Sequence, residues 1–336
     1  MVYTFGLVKH ANIRYRDSLI RLSRFELQAM LNALSIDCDI VHEILGGMDF
    51  LSFDSRILTA KELGFLSCHS NVVFFAQKEK EVLSPLDMQP VRYLYEDLAE
   101  ILKYKGKTSA AFIRMMINIA LSVSPFFMSE TPLTLLDPLC GKGTSCFSAL
   151  QYGMNSVGLD LDRKAIKEAV VYFKRYLKLN MLKHSVRSCS ETSGNISLPV
   201  TEFVFSDTKD HYRTNDIRSL RLAYGDTALS PALCRKSPAH LIVTDLPYGV
   251  QHAPQFGSKP ESFYSLLRRA LPEWRRSMFP GGVAAVSFNT LTLPAHQVLE
   301  LAAEAGFTPC SSDFCLHLRH EVEQAVVRDV VFLLNK

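Results

Sequence analysis

Short apolar runs alternate with polar ones over the first quarter of the chain, and a slower strand–helix rhythm follows. Val2–Val8, Ile40–Leu45, Phe50–Phe53 and Val72–Ala76 carry the period of strands. Ser23–Leu34 and Thr59–Leu66 carry that of helices, the first with Ser23 and Glu26 spaced as a capping box. This predicts a small α+β unit over residues 1–85. The charge cluster Lys78-Glu79-Lys80-Glu81, with Pro85 and Pro90 behind it, predicts a linker and a domain boundary between about 78 and 95. The charges taken alone fit a solvated helix end equally well.

From residue 92 apolar strands are expected at Leu133–Leu136, Ser156–Asp160, Leu220–Tyr224, Leu241–Thr244, Val283–Phe288 and Val326–Leu334. Helical periods lie between them at Gly143–Tyr152, Arg163–Leu177, Ser262–Met278 and Ala295–Ala305. Alternation of this kind predicts an α/β fold, a doubly wound Rossmann-like sheet over residues 92–336. Two closing strands follow Gly306 with no long helix between them, which predicts a terminal antiparallel hairpin at the sheet edge. Residues 183–215, rich in Ser, Thr and charge, read as an insertion or long loop.

Composition narrows the class. With 48% hydrophobic and 21% charged residues the chain is globular, and 336 residues suit two domains. No apolar run reaches the roughly 18–20 residues of a membrane span. Met115 to Phe127 comes nearest and is interrupted by Asn118, Ser122, Ser124 and Pro125. The first ten residues lack the basic and apolar regions of a signal peptide, so an intracellular, cytoplasmic protein without membrane contact is expected. The eight cysteines form no CxxC or Cys/His metal spacing, so reduced thiols and no metal site are expected. A net charge of +3 allows a nucleic-acid partner without requiring one. The clusters Lys174, Arg175, Lys178, Lys183, Arg187 and Arg268, Arg269, Arg275, Arg276, with Arg14, Arg16, Arg21 and Arg24, read as phosphate contacts or as solvated faces.

In Leu133-Thr-Leu-Leu-Asp-Pro-Leu-Cys-Gly-Lys-Gly-Thr144 a strand ends at Asp137 and enters a glycine turn and a helix. This is the first βα corner of such a sheet, where ligands bind. Gly141 and Gly143 let backbone approach a ligand. The turn is neither G-x-G-x-x-G nor a P-loop, so Lys142 and Thr144 are weak evidence for phosphate. An acid at this place repels a pyrophosphate and suits a cationic amine and sulfonium. Asp160 ends the next strand, placed for both hydroxyls of a ribose, and Asp226 ends the third, placed for an adenine amine. Each acid alone also fits a helix N-cap. Together they predict S-adenosylmethionine.

The fourth strand ends in Thr244-Asp-Leu-Pro-Tyr-Gly249. An exocyclic base amine is a poor nucleophile, because its lone pair is delocalised into the ring. The Asp245 carboxylate and the Leu246 carbonyl can accept its two N–H bonds and aim the lone pair at a methyl group. Pro247 stiffens the turn, and Tyr248 offers a stacking face for an extruded base. An ordinary Pro-Tyr-Gly turn is the plain alternative. Carbon-5 methylation would need a thiol at this turn, and Cys140 lies on the wrong strand for that.

These residues resemble those of the RNA N2-guanine methyltransferases, the RNA methylase family that includes the THUMP-bearing tRNA enzymes. Asp137-Pro-Leu-Cys-Gly-Lys-Gly-Thr144 is similar to that family's D-P-F/M-C-G-S/T-G-T turn, with Leu139 and Lys142 as departures. Val157-Gly-Leu-Asp160 and Gly225-Asp226 resemble its ribose and adenine motifs, and Thr244–Gly249 its catalytic turn. Ser109-x4-Arg114-x-Met116-x-Asn118-x-Ala120 resembles the helix beside the cofactor's methionine end, and His320-Glu-Val-Glu-Gln with Arg328-Asp329 resembles its closing stretch. The resemblance implies cofactor contacts from Ser109, Asp137, Pro138, Cys140, Gly141 and Gly143. It adds Thr144, Asp160, Leu161, Asp226 and Thr227, with Asp245, Leu246, Pro247 and Tyr248 as the catalytic turn. It implies an RNA substrate, tRNA first, and leaves room for a small activator subunit. Residues 1–85 resemble the ferredoxin-like ancillary domain and are too short to hold a complete THUMP module as well. Two other classes share these features: a DNA amino-methyltransferase, and a non-catalytic relative that binds cofactor or RNA.

Overall fold

Alternation at the start of the chain puts Tyr3, Phe5 and Leu7 on one sheet face, where they are buried with Leu51, Phe53 and Phe75. The computed structural model describes all residues except 11–12, 81, 91, 102–106, 248–254, 257–258 and 324–325; side chains at 13–15, 255–256, 259–260 and 323 are also outside the description. The first unit comprises β1 (Val2–Leu7), α1 (Ile13–Ala33), β2 (Ile40–Leu45), β3 (Met48–Asp54), α2 (Ala60–Leu66), β4 (Val72–Glu79) and β5 (Val82–Pro85). Its antiparallel sheet runs β2-β3-β1-β4-β5, a split β-α-β arrangement with one added strand. Thr59 and Glu62 form a capping box on α2.

Two expectations change here. Ser23 and Glu26 are no cap: α1 begins ten residues earlier, and both are buried in its middle. The charge cluster is no linker: Lys78 and Glu79 belong to β4, Val82–Pro85 forms β5, and Lys80 turns the hairpin at a φ of 55°. Leu86 N still bonds to Phe75 O at 2.8 Å, so a linker can begin only after it.

The larger unit opens with α3 (Ala110–Val123), β6 (Thr134–Asp137), α4 (Thr144–Gln151), β7 (Asn155–Asp160) and α5 (Arg163–Leu179). Then come β8 (His184–Ser193), β9 (Ile196–Phe205), α6 (Lys209–Arg213), β10 (Arg218–Tyr224), α7 (Ser230–Cys234) and β11 (Ala239–Asp245). A two-residue pairing of β12 (Gln255–Phe256) with β13 (Lys259–Pro260) precedes α8 (Phe263–Arg276), β14 (Met278–Asn289) and α9 (Ala295–Glu304). The chain closes through β15 (Thr308–Pro309), α10 (Asp313–Leu316), β16 (His320–Glu323) and β17 (Val326–Leu334).

The sheet order is β15-β17-β14-β11-β6-β7-β10-β9-β8, with β16 on β17. Strands β10, β7, β6, β11 and β14 are parallel neighbours, and β17 runs antiparallel to β14. This is a doubly wound Rossmann-like sheet with β16 and β17 as its closing hairpin, β17 lying inside the sheet rather than at its edge. From β6 the chain winds one way to β7 and β10, then the other way to β11 and β14. The crevice at the carboxyl ends of β6 and β11 is therefore the topological switch point, where such sheets bind ligands.

Residues 183–215 are not a loop. Strands β8 and β9 pair from His184 with Phe205 to Ser193 with Ile196, and β9 continues the sheet from β10. Leu198, Val200, Phe203 and Phe205 are buried, and the Phe173 ring of α5 lies 5.1 Å from Phe203 and 5.3 Å from Phe205.

The two units share a seam. Leu22 and Ala29 of α1 join the apolar cluster of Phe112, Ile113 and Met116 on α3. Glu26 accepts hydrogen bonds from Ser70 N (2.8 Å), Ser70 Oγ (2.5 Å) and Asn118 Nδ2 (2.6 Å). Asn118 also donates to Cys68 O and accepts from the Tyr152 hydroxyl, whose pKa burial pushes well up. Limited proteolysis that cuts within residues 87–95 is therefore expected to leave two fragments that co-elute on gel filtration. Fragments that separate without denaturant would show that the seam contributes little.

Candidate active site

At the first corner Asp137 ends β6 and is buried beneath the turn it begins, with Oδ1 accepting Leu139 N at 3.1 Å and Oδ2 accepting the Ser145 hydroxyl. Burial pushes its pKa up to about 7, with the nearby Asp160 charge adding to the shift. Gly141 and Gly143 stand at φ of 51° and 87°, in the left-handed region that favours glycine. A Cβ built on Gly141 would meet nothing within 4 Å, so this backbone borders open space. Gly143 caps α4, whose first N–H groups point toward that side.

Asp160, at the end of β7, ties the corner together by accepting Gly141 N (2.7 Å) on Oδ2 and Asp162 N (2.8 Å) on Oδ1. Cys140 N bonds to Leu159 O at 3.0 Å. The Cys140 thiol is buried, and hydrogen bonding with Cys146 together with burial raises its pKa well above the ordinary value. It therefore serves packing, and only its backbone can face a ligand. Pro138 and Thr144 are likewise buried. Lys142 turns to Glu168 on α5, 2.5 Å away, and so is not directed at a phosphate. Gly158, which sequence reasoning did not single out, is what lets the corner close: a Cβ there would lie 2.8 Å from Cys140 Sγ and 2.9 Å from Cys146 Sγ.

The third acid joins through the backbone, since Gly225 N bonds to Asp160 O at 2.9 Å. Asp226 Oδ1 accepts Ala228 N at 2.9 Å and also the Arg269 guanidinium of α8. Arg269 holds Glu261 in a two-bond fork at 2.9 Å each. Leu161 is exposed beside these acids. Thr227 is different, for its side chain is buried and its hydroxyl accepts the indole N–H of the buried Trp274 at 2.9 Å. Any ligand contact from Thr227 is therefore left to its backbone.

The chemistry turn lies across the switch point. Asp245 ends β11, and Leu246 N bonds to Ser287 O at 2.8 Å while its side chain is buried. Pro247 is half-buried, and Tyr248 lies outside the described residues. The Thr108 hydroxyl donates to Asp245 Oδ2, and Arg328 Nη2 of β17 stands 3.8 Å from the same oxygen. Ser109, exposed at the N-cap of α3, follows Thr108 and so is brought beside the turn. Thr108 carries no local signal of this role, and Arg328 stands out only within the closing stretch; the fold brings both to Asp245. The site thus gathers three strand-end acids, an open glycine backbone and a buried, oriented carboxylate along one edge of the sheet.

No family model and no curated protein matches this chain. Solved structures do. The TehB-like SAM-dependent methyltransferase of Corynebacterium glutamicum is 18% identical, over 62% of this chain and 83% of that one, with a TM-score of 0.36. The rRNA methyltransferase AviRa of Streptomyces viridochromogenes is 14% identical, over 69% and 88%, with a TM-score of 0.42. TrmN of Thermus thermophilus is 14% identical with a TM-score of 0.39; the match covers 91% of this chain and 64% of that one.

Proposed function

We propose that this chain is an S-adenosylmethionine-dependent methyltransferase acting on an exocyclic base amine, with guanine N2 in RNA as the target and tRNA first among RNAs. The observation that carries the reading is the placement of Asp245 across the switch point from the corner built by Gly141, Asp160 and Asp226. The donor set suits the cofactor. Asp137 and the open Gly141 backbone would receive its amino-acid end, Asp160 its ribose and Asp226 its adenine. When bound, the cofactor supplies an activated methyl group on sulfur.

The chain's own task is then positioning. Asp245 and the Leu246 carbonyl accept the two N–H bonds of the amine, and Tyr248 stacks the base. Alignment for in-line approach supplies most of the rate. Residues 1–85 would act as an ancillary unit to a catalytic unit over 92–336.

Incubation with methyl-labelled cofactor and separate RNA and DNA pools, followed by nucleoside analysis, tests the reading. N2-methylguanosine supports it. N6-methyladenine in DNA replaces it with a DNA amino-methyltransferase, and cofactor binding without transfer replaces it with a non-catalytic binder. Calorimetry with S-adenosylhomocysteine should show that Asp160→Ala weakens binding by about 1–3 kcal/mol, the scale of losing charge-assisted bonds. Tight binding of NAD instead would overturn the cofactor assignment.

A further inference from the structure

Arg328 belongs to β17, two strands away from β11, with β14 between them. Along the sheet Arg328 pairs with Asn289 and Asp245 with Ser287, so both sit at the edge that holds the switch point. The Arg328 side chain is only 5% exposed and the Asp245 side chain 10%. A guanidinium does not give up its proton, so burying one calls for a compensating partner. Two are present. The Phe112 ring of α3 lies 4.3 Å beneath the guanidinium carbon, and Asp245 Oδ2 lies 3.8 Å from Nη2. That distance is an ion pair rather than a hydrogen bond. The hydrogen bond to the same oxygen comes from Thr108. His320, paired with Arg328 across the hairpin, is held neutral because burial lowers its pKa to about 4, so it adds no competing charge.

Two groups on different elements thus address one oxygen of Asp245, and together they fix where its other oxygen points. We infer that Arg328 is a positioning residue for the proposed methyl transfer: steadied on Phe112, it holds the Asp245 carboxylate by Oδ2 and so sets how that carboxylate is turned at the end of β11. This rests on the function proposed above.

The test is steady-state kinetics with methyl-labelled cofactor and bulk tRNA, with calorimetry of S-adenosylhomocysteine alongside. Arg328→Met should lower kcat on the order of 10–100-fold, the cost of a misplaced reacting group, with KM for RNA and cofactor affinity changed by about twofold or less. Arg328→Lys, which keeps a cation, should recover most of kcat. In an Asp245→Ala background, Arg328→Met should cost about twofold or less, because the two act as a unit. If Arg328→Met does not fold, Phe112→Leu keeps the ion pair and removes its support. It should lower kcat by about 3–10-fold at unchanged cofactor affinity. Normal kcat in Arg328→Met, or in Phe112→Leu where that variant replaces it, would overturn the inference. So would methionine and lysine variants that are equally slow and bind cofactor equally poorly. Wild-type protein that methylates no RNA, or a normal rate in Asp245→Ala, removes the proposed function and this inference with it. Activity lost in Asp245→Ala but kept in Arg328→Met removes this inference alone.

Discussion

Asp245→Ala is expected to lower single-turnover methyl transfer by about 10²–10³-fold or more while leaving S-adenosylhomocysteine affinity within about twofold. The split follows from where the side chains stand. The proposed grip on the cofactor comes from the ends of β6, β7 and β10, whereas Asp245 ends β11 and is held by Thr108 and Arg328. An interaction made mainly in the transition state shows in turnover and not in ground-state binding. Alanine also withdraws a carboxylate from beside the buried Arg328, a change that costs about 3–5 kcal/mol when a buried pair is broken. Asp245→Asn is therefore the companion variant, since it keeps the shape and an acceptor for Thr108. It should be slow as well, with a melting temperature no lower than that of the alanine variant. A wild-type rate in Asp245→Ala would place the chemistry elsewhere.

In the ligand-free protein Asp137→Asn should gain stability relative to the wild type as pH rises from about 4 to about 7. Burial raises the Asp137 pKa from its ordinary 3.8 to about 7 in the folded state. The native protein then binds more protons than the unfolded chain across this window. Raising the pH through it favours unfolding, and the contribution is complete below about 4 and lost above about 7. A shift of that size corresponds to roughly 4 kcal/mol. At pH 8 the asparagine variant should consequently be the more stable of the two in denaturant titrations, yet bind S-adenosylhomocysteine less well. Parallel pH profiles for the two proteins would assign the slope to other groups. A variant that binds as well as wild type would make Asp137 a support of the turn and not a ligand for the cofactor's amine.

The central parallel strands β6 and β11 could be read from sequence because they are buried on both faces and so appear as near-continuous apolar runs, as in Leu241-Ile-Val-Thr. The strand-end acids were legible for the same reason, being the first charges after such runs. Strands β8 and β9 were not. At the rim of the sheet Ser and Thr occupy the outward positions, and that composition looks like loop when pairing partners are unknown. Ser23 and Glu26 carried a helix-start spacing whose real partners, Ser70, Asn71 and Asn118, are supplied by tertiary structure. Thr227 followed an acid in a motif-like pair, but Trp274, which claims its hydroxyl, is far along the chain.

The seam between α1 and α3 also sets a timetable for synthesis. As the chain leaves the ribosome, β1 through β5 can close around Phe5, Phe53 and Phe75 without anything that follows. Leu22 and Ala29 cannot be covered then, because Phe112, Ile113 and Met116 emerge about ninety residues after Leu22. At roughly 5–20 residues per second that is an interval of some seconds in which the apolar stripe of Leu22 and Ala29 on α1 waits uncovered. During the interval Ser70, a member of the same unit, can already hold the Glu26 carboxylate in place. When Asn118 arrives the same carboxylate becomes the acceptor that fixes the register of the two helices.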